Sequence, residues 1–197
     1  LIMVSPYIVP AQPGLVYLTG RADAGVSVSL LTNSLEATDV PATHGGYAPY
    51  RKALLEHGVQ LFELRRQPGD NGNGGSGPRL FHSGSSHSSE SSLHSKAMIF
   101  DRQKAFIGSF NFDPRSILWN TEVGVLVDNP QLAGRVRELA LEGMAPPLSY
   151  QARLEKGQIV WVTEDDGKQH TLTKEPGSWW QHFNSWLSSM VGLERML

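Results

Sequence analysis

The 197 residues carry 17 lysines and arginines against 19 aspartates and glutamates, which gives a formal net charge of -2. A nucleic-acid-binding protein is expected to carry an excess of basic residues, which this chain lacks. We therefore predict no nucleic acid as a partner. The absence of cysteine excludes disulfides, thiol catalysis and cysteine-ligated metals within these residues. No apolar stretch reaches the roughly 18 residues that a membrane-spanning helix needs.

Strands and helices alternate along the first third of the chain. The predicted segments are strands at residues 1–4, 26–31 and 59–64, and helices at residues 13–23 and 46–57. Gly25 and Gly58 follow the two helices, in the position where glycine commonly ends a helix. This alternation favours an α/β fold in which helices flank a β-sheet.

Residues 67–92 consist almost entirely of glycine, serine, asparagine, histidine and proline. Such a segment buries too little apolar surface to offset the entropy lost on ordering, so we expect a flexible loop. Two interpretations stay open, an exposed linker and a lid over a substrate. His82 and His87 form no usual zinc pattern with His94, so no metal is predicted.

Two short apolar runs follow this loop, at residues 97–100 and 105–107, and the turn at 101–103 predicts that they form a β-hairpin. The hairpin makes the predicted sheet mixed rather than purely parallel. The next predicted segments are a short helix from Asp113, a strand at 123–127, and a helix from Asn129-Pro130 to about Gly143.

The pattern changes after Pro146 and Pro147, and we predict a larger unit at 1–146 and a smaller one at 147–197. Alternation at 150–154, 159–163 and 169–172 predicts a small β-meander. Ser178 then begins an amphipathic helix whose apolar face comprises Trp179, Trp180, Phe183, Trp186, Leu187, Met190 and Val191. The helix either packs on the domain or lies at a membrane interface, where tryptophan is favoured.

One stretch carries most of the chemical information, the pattern H-x-K-x(4)-D-x(6)-G-S-x-N. Its members are His94, Lys96, Asp101, Gly108, Ser109 and Asn111. An imidazole can attack phosphorus or carry a proton, and an ammonium and an amide can hold phosphoryl oxygens. The hairpin places His94, Lys96, Ser109 and Asn111 at one end of the sheet and Asp101 at the other, so we expect Asp101 to be structural.

This pattern resembles the HKD motif, the signature of the phospholipase D superfamily. The resemblance implies that one histidine forms a phosphohistidine, while a second, from another copy of the motif, protonates the leaving group and activates the acceptor. His94 would be one of the pair. Lys96 and Asn111 would hold the phosphate, Ser109 would help to position it, and Gly108 belongs to the structural part of the motif. Glu122, at the start of the next strand, would orient the histidine, as carboxylates do in related sites.

A second copy of the motif is missing, because no other histidine is followed two residues later by lysine. Either the chain is the C-terminal half of a two-motif enzyme, or two identical chains share a site across a two-fold axis. We favour the first, because the opening LIMVSPYIVP already reads as part of a strand.

Three further segments narrow the family. SPYIVP at the start, LTNSLEATDV with the following HGGY and YR, and PGSWW near the end are similar to bacterial cardiolipin synthases of the C subclass. The resemblance implies phosphatidyl transfer to phosphatidylglycerol by a peripheral enzyme on the cytoplasmic side of the bacterial inner membrane, without a cofactor. His44 and Tyr47 would contact the phospholipid headgroup; alternatively, His44 caps the following helix.

The alternatives are a phosphodiesterase or nuclease that acts as a homodimer, a plain phospholipase D that releases phosphatidic acid, and a scaffold without activity. The near-neutral charge and the tryptophan-rich C-terminal helix argue against a nuclease. The complete set of motif residues argues against a scaffold.

Overall fold

A computed structural model describes residues 1–66 and 93–191, and these form one mixed β-sheet with helices on both sides. The strands are β1 (Ile2–Val4), β2 (Ser29–Asn33), β3 (Gln60–Leu64), β4 (Ala97–Phe100), β5 (Lys104–Gly108), β6 (Gly124–Asp128), β7 (Ser149–Glu155), β8 (Gln158–Asp165) and β9 (Lys168–Leu172). Within the described residues their order is β6-β5-β4-β1-β2-β3-β7-β8-β9. The predicted α/β class with a mixed sheet is confirmed.

The helices connect these strands. They are α1 (Ala11–Asp23), α2 (Pro41–Tyr47), α3 (Arg51–Glu56), α4 (Pro114–Leu118), α5 (Pro130–Gly143) and α6 (Trp179–Val191), with a 3-10 turn at Ala48–Tyr50 between α2 and α3. The central strands β1, β2 and β3 are parallel, with α1 in the first crossover and α2 and α3 in the second. Parallel strands require such crossovers, which bring the chain back to the same end of the sheet.

Side chains of successive strand residues enter two separate cores. Met3 and Leu30 contribute to the first core, beneath α1 and α3. Val4 and Leu31 point to the other side and pack with Ala133 and other residues of α5. The sheet is therefore the middle layer of an α/β/α arrangement, and its central strands are held rigidly from both faces.

The predicted hairpin is present as β4 and β5, which pair from Ala97 with Ile107 to Phe100 with Lys104. Asp101 and Arg102 take positive φ angles of 50° and 59° in the connecting turn, the conformation of tight hairpin turns. The short helix predicted from Asp113 is present, and Asp113 caps it by accepting from the amide of Ser116. The predicted cap of the next helix is also present, because Asn129 accepts from the amides of Gln131 and Leu132.

Two segments differ from their predicted bounds. The second strand covers Ser29–Asn33 rather than residues 26–31. The helix predicted at residues 46–57 begins earlier, with Pro41 in its first turn, and is interrupted by the 3-10 turn that contains Pro49. Proline lacks an amide hydrogen and its ring collides with the preceding turn, so it breaks a continuous helix.

The predicted meander is present as β7, β8 and β9, and it continues the main sheet because β7 pairs antiparallel with β3. The division of the chain near residue 147 stays a prediction. Ser178 begins α6 as predicted, with reciprocal bonds in which Ser178 Oγ accepts from the amide of Gln181 and Gln181 Oε1 accepts from that of Ser178. Within the ranges 1–66 and 93–191, no helix is long and apolar enough to cross a membrane.

Candidate active site

The polar residues of the motif meet at one cavity, at the carboxyl end of the central parallel strands. His94 and Lys96 lie just before β4, while Ser109 and Asn111 lie just after β5, and all four line a cavity of about 620 Å³. Val4, Val136, Leu139 and Ala140 form an apolar part of its wall. The sequence therefore predicted correctly that these four side chains share one end of the sheet.

The position of His94 is set by a contact from β2. The buried side chain of Asn33 accepts a hydrogen bond from the amide of Leu93 at 2.8 Å and donates one to its carbonyl at 3.2 Å. Both backbone groups of the residue before His94 are thus tied to the central sheet. The sequence pattern assigned Asn33 no role, because its partner Leu93 lies 60 residues away in the chain.

Lys96 faces several carboxylates. Its ammonium donates to the carbonyl of His94 at 2.8 Å. Burial lowers its pKa, while the negative charges of Glu122, Asp39 and Asp113 oppose that shift by stabilising the ammonium. Asp39 was also not assigned a role from the sequence; it accepts a hydrogen bond from Tyr7 at 2.7 Å. The lysine is thus a partly desolvated cation at the cavity, suited to hold a phosphoryl oxygen.

Ser109 and Glu122 form a pair next to the cavity. The hydroxyl of Ser109 donates to the Glu122 carboxylate and accepts from the amide of Val123 at 3.0 Å. Asn120 donates to the other oxygen of Glu122 at 3.2 Å. These hydrogen bonds, from Ser109 first, hold the pKa of Glu122 below its usual value, so it carries a negative charge. The orientation of His94 by Glu122 stays a prediction.

Gly108 allows β5 and β6 to approach closely beside Ser109. A Cβ atom on Gly108 would lie 2.4 Å from the carbonyl oxygen of Val123 and 2.7 Å from Cα of Gly124. Any larger residue would push β6 away and move Ser109 and Glu122. Asn111 also lines the cavity, and its Oδ1, an acceptor, is buried without a hydrogen-bond partner among the described residues. Its Nδ2 is the group that can donate to a phosphoryl oxygen.

Asp101 lies in the hairpin turn, at the far end of β4 from His94. This is the position predicted for it. Its conformation, with a positive φ angle, is one that aspartate tolerates better than most residues. Its structural role stays a prediction.

His44 and Tyr47 are buried in α2, outside the lining of the cavity that holds the motif residues. His44 Nε2 lies 2.5 Å from Glu175, which also accepts from Arg51 at 2.6 Å. Burial alone would raise the pKa of Glu175, but hydrogen bonds from His44 and Arg51 outweigh it and hold that pKa well below its usual value. His44 lies within α2 rather than at its first residue. The headgroup role of both residues stays a prediction.

Arg51 connects the buried pair of His44 and Glu175 to strands β3 and β8. It donates to Glu63 at 3.1 Å, and the fully buried carboxylate of Glu63 also accepts from Trp161 Nε1 at 2.8 Å. The guanidinium lies over the rings of Tyr47 and Trp161, 5.4 and 5.3 Å from their centroids. Sequence reasoning missed this network, which joins α2 and α3 to β3, β8 and the segment before α6.

The arrangement combines an imidazole, an ammonium and a side-chain amide at a cavity with an apolar wall. Comparison with known proteins identifies the family. The sequence model of the family described as "Cardiolipin synthase, PLD-like domain" matches residues 1–141. The chain belongs to this phospholipase D-like family. The family resemblance predicted from the motif is therefore confirmed.

Individual relatives support the same family. The chain is 37% identical over 197 residues to cardiolipin synthase C of Escherichia coli, covering 99% of this chain and 40% of that protein. It is 24% identical over 169 residues to a cardiolipin synthase of Staphylococcus aureus, covering 86% of this chain and 29% of that protein. The chain thus spans less than half the length of these family members.

Solved structures share the fold. The phospholipase D family member Nuc from Salmonella typhimurium matches with a TM-score of 0.55 and 17% identity, over 77% of this chain and 80% of that one. Phosphatidylserine synthase from Haemophilus influenzae matches with a TM-score of 0.52 and 14% identity, over 73% of this chain and 32% of that one. At these identities, the likeness concerns the fold alone.

Proposed function

We propose that the protein containing this chain is a phosphatidyltransferase that forms cardiolipin from phosphatidylglycerol and a second phospholipid. The observation that carries the proposal is the convergence of His94, Lys96 and Asn111 on one cavity with an apolar wall, in a member of the cardiolipin synthase family. The polar groups suit a phosphodiester, and the apolar wall suits the lipid that carries it.

The reaction requires two histidines. One attacks the phosphorus of the donor lipid, and the bond from phosphorus to the leaving alcohol breaks as the other histidine protonates that oxygen. The second histidine then takes the proton from a hydroxyl of phosphatidylglycerol, whose oxygen attacks phosphorus and releases the first histidine. His94 is one of the two, and the phosphohistidine is the intermediate between the steps.

The other motif residues stabilise the negative charge on the nonbridging oxygens of the phosphoryl group during transfer. Lys96 Nζ and Asn111 Nδ2 donate hydrogen bonds to the nonbridging oxygens. Ser109 is fixed by Glu122 at the rim of the cavity, where it helps to position the phosphate. Glu122 is in addition the residue we propose to orient His94 when the complete site is assembled.

The second histidine comes from a second HKD-bearing half of the same protein or from a second copy of this chain. A surface suited to that partner lies beside the site. Large apolar side chains are exposed on α4, on the edge strand β6 and between them: Ile117, Leu118, Trp119, Val123, Val125 and Leu126. Trp119 is 77% exposed and Val123 78%. Val125 and Leu126 point to opposite faces of the edge strand β6, so exposed apolar side chains lie on both sides of this edge, as is typical of an interface. Glu122, between α4 and β6, accepts a hydrogen bond from Ser109 at the cavity.

We propose that the protein is peripheral to the bacterial inner membrane, since its proposed substrates are phospholipids, and that it faces the cytoplasm, as the resemblance to cardiolipin synthases implies. The test is a product assay with the protein in its full natural length and labelled phosphatidylglycerol, alone and mixed with phosphatidylethanolamine, in ¹⁸O-water. Cardiolipin without ¹⁸O in its phosphates supports transfer. Phosphatidic acid that contains ¹⁸O as the main product would show a hydrolase instead, and cleavage of DNA with no lipid product would show a nuclease.

A further inference from the structure

Helix α6 has an unusual distribution of side chains. Its buried positions are the small polar residues Ser185 and Ser188, whereas its large residues face outward. The exposed fractions are 77% for Trp179, 59% for Trp180 and 55% for Trp186. A helix that simply covers a core buries its apolar face, so this orientation needs another explanation.

Close packing on α2 fixes that orientation. A Cβ atom on Gly45 would lie 2.3 Å from the carbonyl oxygen of Ser185 and 3.1 Å from Cβ of Ser188. Only small residues on both helices allow this approach, so α6 cannot turn its aromatic side inward without losing the contact. The bonds of Glu175 to His44 and Arg51 hold the segment just before α6 in place as well.

The outward side forms one continuous surface, the aromatic face, which consists of Trp179, Trp180, Phe183, Trp186 and Leu187. Phe183 lies 5.9, 5.8 and 6.1 Å from the ring centroids of Trp179, Trp180 and Trp186. Residues 179–191 include no aspartate, glutamate, lysine or arginine. Indole rings, each with an apolar body and one N–H donor, match the interfacial region of a bilayer. Because the aromatic face is uncharged, a bilayer suits it better as a partner than a charged protein surface would.

Helix α6 also contacts the end of the sheet at which the cavity lies. Gln181 donates to the carbonyl of Glu36 at 3.4 Å, in the loop that leaves the carboxyl end of β2. At that same strand end, Asn33 binds the backbone beside His94. Helix α6 and the cavity with His94 and Lys96 are therefore both connected to the carboxyl end of β2.

We propose that the aromatic face docks this edge of the protein on the lipid bilayer, so that phospholipids reach the site from the membrane surface. The proposal rests on the proposed function, because it takes the substrates to be membrane lipids. Docking depends on apolar and indole contacts rather than on anionic headgroups, so it is insensitive to salt and to the content of phosphatidylglycerol.

The test compares the full-length protein with a Trp179→Ser/Trp180→Ser/Trp186→Ser variant in co-sedimentation with vesicles. One set contains phosphatidylcholine alone, and the other an equal mixture with phosphatidylglycerol, each at low and high salt. We expect binding of the variant to fall by about 100-fold on both sets, with turnover on detergent-dispersed lipid retained. Val16→Ser/Tyr17→Ser, which removes exposed apolar side chains from α1, is the matched control and leaves binding unchanged.

Three outcomes overturn the proposal. The triple variant could bind vesicles as well as wild type does, or it could lose self-association while it still binds vesicles. Alternatively, high salt could abolish the binding of wild type to vesicles. Should the triple variant unfold, brominated phosphatidylcholine provides a second measurement on the wild type, since it quenches tryptophan that enters the bilayer. Quenching that Trp179→Ser reduces supports docking, and no quenching refutes it. Failure of the proposed function can be distinguished from failure of docking, because the wild type would then bind vesicles but form no cardiolipin.

Discussion

Replacing Asn33 by alanine removes the side chain that holds the backbone next to His94. Two hydrogen bonds to Leu93 are lost, at 2.8 and 3.2 Å, and Leu93 is itself buried. Each buried backbone group left without a partner costs about 1–3 kcal/mol, so we expect the free energy of unfolding to fall by about 3 kcal/mol. Because His94 follows directly, we also expect cardiolipin formation to slow by about 10²-fold, the size of effect that small misplacements of catalytic groups produce.

Urea denaturation measures the first effect, and initial rates under conditions where the variant stays folded measure the second. Gln131→Ala is the control, because it removes an exposed amide side chain from α5 and should change stability by less than about 0.5 kcal/mol. An Asn33→Ala protein with the stability and the rate of wild type would show that this contact does not position His94.

Three further predictions concern the charged groups and the assembly. Glu122→Gln should lower turnover by at least about 10²-fold, measured as cardiolipin formed per minute, by analogy with other orienting carboxylates. Glu175 has a depressed pKa in the folded protein, so its contribution to stability is present above its ordinary pKa of 4.5 and is lost as the pH falls below that value. Glu175→Gln should therefore flatten the decline of unfolding free energy in acid. Residues 1–197 alone should be inactive, or active only as a dimer, which activity at increasing dilution measures.

Each of these three has a result that contradicts it. If Glu122→Gln formed cardiolipin at the wild-type rate, Glu122 would have no role in the mechanism. An unchanged acid profile in Glu175→Gln would show that its bonds to His44 and Arg51 do not contribute to stability. Full activity of a monomer of residues 1–197 would refute the requirement for two histidines.

The features predicted correctly from the sequence have local causes. The hairpin at β4 and β5 follows from two apolar runs around a tight turn, and the start of α5 follows from Asn129 and Pro130. Because strand residues alternate in direction, the hairpin also brought the four polar motif residues to one cavity. For the same reason, Asp101 could be placed at the opposite end.

The features that were missed depend on contacts between distant segments. Asn33 and Leu93 are 60 residues apart in the chain, and Arg51 and Glu175 are 124 apart. No local pattern reports such pairs, so the buried charge network went unrecognised. The periodicity of α6 identified an apolar face but not its direction, which is decided by the fit of Ser185 against Gly45.

The central claim is that His94 takes part directly in transfer of a phosphatidyl group. The most direct measurement is the rate of cardiolipin formation from labelled phosphatidylglycerol by full-length His94→Ala, compared with wild type under identical conditions. A protein that folds like wild type and loses at least about 10⁴-fold in rate is the result we predict, as for removal of a catalytic group from other two-step transferases and hydrolases. Cardiolipin formation at a near-wild-type rate by His94→Ala would contradict the account.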